Sequence, residues 1–457
     1  MSDSSKGTNQ VEQRDLFKSK IGFILAAAGS AVGLGSVWKF PYVVGQNGGG
    51  AYVLVYMVAV FVIGIPIMVA EFVIGRHSGK NAVEAYGYYS KKYKIVGMTS
   101  VIVPSVILSY YCVIGGWAIM YLYLALTGQL TGLSPEQYAE VFSASSANMG
   151  LAGIFFLVFM LGAILTCVKG VSGGIEKVCS ILMPALFIIM IAMGVVGIML
   201  PGGMEGVKWY LTPDFSKISG STFIYAVGQV FFTLSLGMGI MVTYASYLSK
   251  EEDIPKAATI TTIFDTIVSL LAGFAIFPAV FAFGLEPAAG PGLVFITLPN
   301  VFNQLPAGAF IAAAFYILLI FAALPSAISL LEVSVSYIIE TYKMPRPKAA
   351  WLCGMVITII GIPTLLAYGP WAEIKLFGFN FFDLYDYITS YIFLPIIGLA
   401  TVLIVTFTWS KDAVMMEVTN QGKLQFGLKD VWYLVLKWVN PILLVIVGLQ
   451  SLGLLSF

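Results

Sequence analysis

Asp265 stands between Phe264 and Thr266 in the middle of a long apolar run. A carboxylate there needs a cation, a proton or a dense set of hydrogen-bond donors. Two other apolar runs are interrupted at mid-length by glycines and hydroxyls. They read Gly29-Ser30-Ala31-Val32-Gly33-Leu34-Gly35-Ser36 and Thr233-Leu234-Ser235-Leu236-Gly237-Met238-Gly239. Glycine costs a helix about 1 kcal/mol relative to alanine, and in hydrocarbon a freed backbone group is tolerated only where it lines a protein or water cavity. The start of a half-helix offers N–H groups to an anion, and unwound carbonyls face a cation. That is the chemistry of recognition. The same glycines also suit close helix packing, and Asp265 reads equally as a protonated structural acid bonded to a neighbouring helix.

Covalent chemistry has little to build on. His77 is the single histidine, and Cys112, Cys167, Cys179 and Cys353 lie in apolar runs with no CxxC spacing. This argues against both a disulfide scaffold and a structural zinc site. No nucleophile stands beside a base, so an enzyme is not expected. Glu71, Glu332 and Lys39 lie nearer the ends of their runs, where long side chains snorkel to water. Tyr110 and Tyr111 each need a partner for a buried phenol.

The elements that position these residues are helices in a bilayer. Of 457 residues, 59% are hydrophobic and 10% charged, against about 25% charged in a soluble domain. Runs near the roughly 20 residues needed to cross a bilayer fall at 18–46, 51–74, 96–126, 151–168, 174–200, 221–248, 256–284, 306–341, 349–368, 381–409 and 430–455. The expected fold is an all-α polytopic membrane protein with eleven transmembrane helices. Lys+Arg 24 against Asp+Glu 23 leaves no charged field to attract nucleic acid. Most basic residues fall on one side if the N-terminus is cytoplasmic, and the outer loops hold only Lys208, Lys217 and Lys375. This orients the chain with the N-terminus inside and, with eleven spans, the C-terminus outside. The turn-rich loop 284–306 reads either as a cover over a cavity or as a simple connector.

The two interrupted runs are spans 1 and 6. Glycine-interrupted spans in corresponding positions of two halves point to a transporter's midplane site. Because five is odd, spans 6–10 must repeat spans 1–5 in inverted topology.

The run from Gly29 to Pro41, with Asn47-Gly48-Gly49-Gly50-Ala51, Gly64-Ile65-Pro66, Glu71 and Gly228-Gln229-Val230-Phe231-Phe232-Thr233-Leu234-Ser235, resembles the signature of the neurotransmitter:sodium symporters. Within that family the chain is most similar to the short bacterial amino-acid symporters. The resemblance implies a LeuT-like inverted 5+5 repeat with broken helices 1 and 6 plus one extra helix. It divides the chain into a cytoplasmic N-terminal latch (1–17), helices 1–5 (18–200), an extracellular loop (201–220), helices 6–10 (221–409), a cytoplasmic loop (410–429) and helix 11 (430–457). It implies a multi-pass protein of the plasma membrane.

The resemblance further implies two Na+ sites. The first draws on Ala31, Ser36, Thr233 and Asp265, completed by the substrate carboxylate. Animal members place chloride beside it; the matching residues are Tyr56, Gln229, Thr233, Asp265 and Ser269, and an ionised Asp265 would supply that negative charge. The second uses Gly29, Val32, Ala322 and Ser326, with Pro325 where the family has a hydroxyl or carboxylate ligand. The substrate carboxylate would meet Tyr111 and the backbone at Leu34-Gly35. Its amino group would meet carbonyls near Ala31, Phe232 and Thr233. Ile107, Phe232, Ser235, Met238, Ala327, Ser329 and Leu330 would surround its side chain without a charge. Met238 adapts to varied shapes, and reads equally as a core filler.

An outer gate of Lys39, Gln229, Phe232 and Asp383 is implied, with Asp386 as an alternative partner for Lys39. The implied inner gate is Arg14, Phe17, Ser246, Tyr247, Glu332 and Glu340, and Gly174 and Pro184 form a hinge in span 5. The expected function is sodium-coupled, chloride-independent import of aliphatic and aromatic L-amino acids by alternating access. The partners are a small-molecule substrate and the lipid bilayer. The rivals are symport of another small amino acid or osmolyte, and a non-transporting amino-acid sensor.

Overall fold

The computed structural model describes residue 17, residues 19–285 and residues 292–455. Among them, nine helices are long and apolar enough to cross a membrane: Gly50–Ser78, Lys91–Leu126, Met149–Val168, Val171–Met199, Ile254–Ala282, Gly308–Tyr342, Arg346–Leu366, Phe381–Thr408 and Lys429–Ser451. Span 1 is a pair, Lys20–Ala31 and Gly35–Gln46, bent by 46° at its break. Span 6 is likewise divided, into Gly220–Thr233 and Ile240–Ala245. Eleven spans result, with breaks where glycines and hydroxyls interrupt the apolar pattern.

The central spans are those whose sequences are small and polar enough to pack on several sides. Span 3 packs along span 8 and against span 4, and the first half of span 1 lies between spans 5, 7 and 8. Span 5 presents an apolar outer face, with Ile181, Ile188, Ile191 and Val195 exposed, as a helix facing hydrocarbon must. Several spans carry π turns, at Gly35–Lys39, Val60–Gly64, Val171–Glu176, Ile388–Phe393, Ile404–Thr408 and Val435–Val439. Such turns bend a helix locally and recur at functional sites.

The described part of the loop after span 7 packs onto the end of span 3. It forms a short apolar helix, Leu293–Asn303, whose Leu293, Val294, Phe295 and Val301 are fully buried. Phe295 lies 5.7 Å from the Trp117 ring and 5.1 Å from Tyr121. On the opposite side, the helix Lys411–Val418 closes onto the end of span 2. Arg76 Nε meets Glu417 Oε1 at 2.7 Å, and His77 Nδ1 lies 3.1 Å from Glu417 Oε2. The Arg76 guanidinium also donates to the backbone carbonyls of Glu252 and Glu417.

Burial alone would raise the Glu417 carboxyl, but the hydrogen bonds from His77 and Arg76 and the Arg76 charge hold it at about 2. A folded value below the ordinary 4.5 stabilises the fold above pH 4.5, and that contribution is lost as pH falls toward 2. Glu417→Gln is expected to lower stability at pH 7 by roughly 1–3 kcal/mol. Thermal unfolding of the detergent-solubilised protein should show the gap between variant and parent narrowing below pH 4.5.

Candidate functional site

The two helix breaks meet at mid-depth and exchange partners. Span 1 leaves the α-helix at Val32 (φ −73°, ψ 87°), and the next free amide, Leu34 N–H, donates to the Tyr111 hydroxyl at 2.9 Å. Span 6 turns through left-handed backbone at Ser235 (φ 55°), Gly237 (φ 72°) and Gly239 (φ 66°). A side chain at Gly237 would come within 2.7 Å of the Leu394 carbonyl oxygen, so only glycine fits there. The Gly237 N–H donates to Glu71 Oε1 at 2.7 Å. Ser235 Oγ donates to the Ser30 carbonyl at 3.0 Å, tying the two breaks together.

A cavity of about 20 Å³ lies between them, lined by Ser30, Ala31, Gly33, Gly35, Ile107, Tyr111, Phe232, Ser235, Met238, Ser326 and Leu330. Eight of these are the expected substrate residues. Of the rest of that set, Leu34, Thr233, Ala327 and Ser329 are buried without lining it, and Ser30, Gly33 and Ser326 were not expected in it. The volume suits about one water molecule, so any amino acid must displace side chains such as Met238 and Phe232.

On one flank Ser36 Oγ donates to Asp265 Oδ1 at 2.5 Å. Gln229 Nε2 donates to the Gly35 carbonyl at 2.8 Å, and Thr233 Oγ1 lies 3.2 Å from the Tyr56 hydroxyl. Asp265 Oδ2, Gln229 Oε1 and Ser269 Oγ are buried without a hydrogen-bond partner. Oxygen atoms left over in this way suit a hard cation; the free oxygen of Asp265 fits the first expected sodium site, while Gln229 and Ser269 belong to the residues matched to chloride. Among the described residues, no cluster of three His, Cys, Asp or Glu could hold a transition metal.

On the other flank Ser326 Oγ donates to the carbonyls of Gly29 (3.2 Å) and Ser30 (2.9 Å). A side-chain carbon at Gly29 would lie 3.2 Å from Pro325 Cβ, so the proline ring packs on the break where a ligand oxygen was sought. Val32 and Ala322 are fully buried.

Lys39, expected in an outer gate with Asp383, meets the alternative partner Asp386. Lys39 Nζ lies 2.7 Å from both carboxylate oxygens of Asp386 and 4.5 Å above the Phe232 ring. Tyr110 and Ser390 also donate to Asp386, at 3.1 and 2.8 Å. Asp383 does not take part. It sits exposed in the first turn of its helix, where Asn380 accepts its N–H and donates to its carboxylate, both at 2.8 Å. Asp386 is one turn further on and faces the lysine. Lys39 is only 1% exposed, which excludes the snorkelling alternative.

Among the residues expected in the inner gate, Phe17 packs edge-on against Phe23, Tyr244 and Tyr247. Tyr247 donates to Glu332 at 2.8 Å, and Ser246 donates to the Thr243 carbonyl. Glu332 is fully buried and forms a two-bond pair with Arg346 at 2.8 and 3.0 Å. Glu340 accepts from the backbone and side-chain nitrogens of Asn81, each at 2.8 Å. Arg14 lies outside the described residues. The Arg346 role escaped sequence reading because that residue counts equally well as one more inner-side positive charge. In span 5 Gly174 lies in the π turn, where a side chain would strike the Thr166 carbonyl at 2.2 Å, and the helix continues unbroken through Pro184.

Paired broken helices around a closed mid-membrane cavity, flanked by surplus oxygen atoms, define a secondary transporter of the inverted-repeat kind. The family model described as the sodium:neurotransmitter symporter family matches residues 14–140 and 136–455. The chain is 41% identical over 441 residues to a sodium-dependent transporter of Bacillus subtilis, YhdH, covering 96% of this chain and 98% of that one. It is 39% identical over 458 residues to a sodium-dependent transporter of Haemophilus influenzae, covering 97% and 100%. The crystal structure of MhsT in complex with L-phenylalanine superposes with a TM-score of 0.91 at 40% identity, covering 96% of this chain and 100% of that one. The chain belongs to the sodium:neurotransmitter symporter family.

Asp386→Asn leaves Lys39 buried opposite a neutral group, a loss that commonly amounts to about 3–5 kcal/mol for a buried pair. Uptake into proteoliposomes should fall at least roughly tenfold in this variant, whereas Asp383→Asn should retain near-parental uptake.

Proposed function

We propose that this protein is a sodium-coupled symporter that imports hydrophobic L-amino acids by alternating access and needs no chloride. The observation that carries the reading is the buried Asp265, with one oxygen on Ser36 and the other without a hydrogen-bond partner beside the helix breaks. The substrate carboxylate lies against Tyr111 and the Leu34-Gly35 backbone, next to a sodium ion held by Ala31, Ser36, Thr233 and Asp265. A second sodium is held by Gly29, Val32, Ala322, Ser326 and the backbone at Pro325. Sodium and substrate raise each other's affinity reciprocally, because one equilibrium links both.

The apolar lining from Ile107, Phe232, Met238 and Leu330 supports an uncharged side chain. So does the similarity to MhsT, which was solved with L-phenylalanine. The Asp265 carboxylate occupies the position where chloride would otherwise supply negative charge. The Lys39–Asp386 pair opens to the outside. On the inner side the Phe17 cluster, Tyr247 and Glu332 release, with residues 1–17 as the latch and Gly174 and Pro184 as the hinge. The protein acts in the plasma membrane, with its N-terminus inside and its C-terminus outside, and catalyses no covalent step.

Radiolabelled leucine uptake into proteoliposomes tests this reading. Accumulation is expected with an inward sodium gradient and not with potassium. Replacing chloride by gluconate should change the rate less than about twofold, while Asp265→Asn should lower it at least roughly tenfold. A chloride requirement would overturn the role given to Asp265. Sodium-dependent binding without accumulation would favour an amino-acid sensor, and accumulation of only glycine-sized or osmolyte substrates would overturn the hydrophobic range.

A further inference from the structure

Three serines from three spans form one hydrogen-bonded cluster at the side-chain end of the cavity. Ser30 Oγ lies 2.7 Å from Ser329 Oγ and 3.3 Å from Ser235 Oγ. Ser235 Oγ donates to the Ser30 carbonyl at 3.0 Å, and Ser329 Oγ is placed to donate to the Ser326 carbonyl at 2.8 Å. All three are buried, at 2%, 4% and 0% exposure for Ser30, Ser235 and Ser329. Ser30 and Ser235 line the cavity, and Ser329 does not.

A serine hydroxyl has one hydrogen to donate and two lone pairs that accept. The Ser235 hydrogen goes to the Ser30 carbonyl. The Ser329 hydrogen goes either to the Ser326 carbonyl or to Ser30 Oγ, and the Ser30 hydrogen goes to whichever neighbouring oxygen remains. In either arrangement all three hydrogens are engaged within the cluster. Ser30 Oγ and Ser235 Oγ each keep at least one lone pair. The neighbouring side chains of Ile107, Met238 and Leu330 bring no polar hydrogen. Leu34 N–H is engaged with the Tyr111 hydroxyl. The serine cluster therefore offers hydroxyl acceptors and no free hydroxyl donor.

Ser235 also stands in left-handed backbone at φ 55°, a conformation unfavourable for an L-residue. The surrounding structure holds it there with its hydroxyl against span 1.

We infer that the Ser30–Ser235–Ser329 cluster is a specificity determinant that selects, among large hydrophobic amino acids, those whose side chain carries a hydrogen-bond donor, an indole N–H above all. This rests on the symporter reading given above. A hydrocarbon side chain is accepted, because the serines already satisfy one another. An acidic or carbonyl-bearing side chain finds no free hydroxyl hydrogen in the cluster. An indole N–H gains a bond to a lone pair that is otherwise unused.

The test uses the full-length protein in detergent with sodium present, measuring displacement of radiolabelled leucine. The competing probes are L-tryptophan and L-3-benzothienylalanine, in which sulfur replaces the indole N–H at nearly the same size. Displacement of Met238 and Phe232 burdens both probes alike, so their ratio isolates the donor. Tryptophan is expected to compete about tenfold more strongly. That preference should shrink in Ser30→Ala and in Ser235→Ala and vanish in the double variant, whatever happens to the absolute affinities. Equal competition by the two probes on the parent protein, which needs no variant to fold, overturns the inference, as does a preference that survives in the double variant. Failure of labelled leucine to bind in sodium overturns the symporter reading and this inference with it. Intact leucine binding with equal probes overturns this inference alone.

Discussion

Backbone that leaves a helix at mid-membrane must find partners within the protein, because hydrocarbon supplies none. In this chain those partners come from four other spans. The Tyr111 hydroxyl accepts from Leu34, Glu71 accepts from Gly237, Gln229 donates to the Gly35 carbonyl, and Ser326 donates to the carbonyls of Gly29 and Ser30. Spans 3, 6 and 8 are thereby drawn around the break in span 1, and span 2 is tied to the break in span 6. The requirement to satisfy freed backbone brings oxygen atoms together in a region that would otherwise be apolar, and so creates the site.

The same constraint links the site to two ion pairs. Phe232 lines the cavity and lies beneath Lys39, whose ammonium is held by Asp386. Ser36 and Lys39 share one short stretch of span 1, so movement at the oxygen-rich flank is transmitted to the outer ion pair through less than one helical turn. Tyr247 connects the second half of span 6 to Glu332 and hence to Arg346. Each ion pair is thus attached to one of the two broken helices.

Much of this was legible in the sequence, and the exceptions have physical reasons. Glycine interruptions, the eleven apolar runs and the position of Asp265 are local properties, and each appears in the structure where the residues placed it. Partner choice is not local. Asp383 and Asp386 are both acidic residues near the start of span 10, and only the capping of that helix by Asn380 leaves the second one for Lys39. Glu340, expected with Arg14 in the inner gate, accepts from Asn81, and Arg14 lies outside the described residues. Arg346 carried no sign of its partnership with Glu332, since positive charge is expected anywhere on the inner side. The buried helix Leu293–Asn303 was hidden by the prolines and glycines around it, which mark turns more strongly than a short apolar run marks a helix. The role of Ser30 required knowing which hydroxyls face one another across three spans.

The π turns give these helices an unusual tolerance. An α-helix rotates about 100° per residue, so losing one residue from an ordinary turn swings every later side chain to another face. A π turn already holds one residue more than the α-helical turn it replaces. Deleting a residue there tightens the turn and leaves the downstream faces where they were. At Gly35–Lys39, Val171–Glu176 and Ile388–Phe393, this places spare length next to the cavity, at the start of span 5 and beside Asp386. Length changes at these points can alter the local shape of the translocation path while the packing of eleven spans stays in register, which makes them natural places for relatives of this chain to diverge.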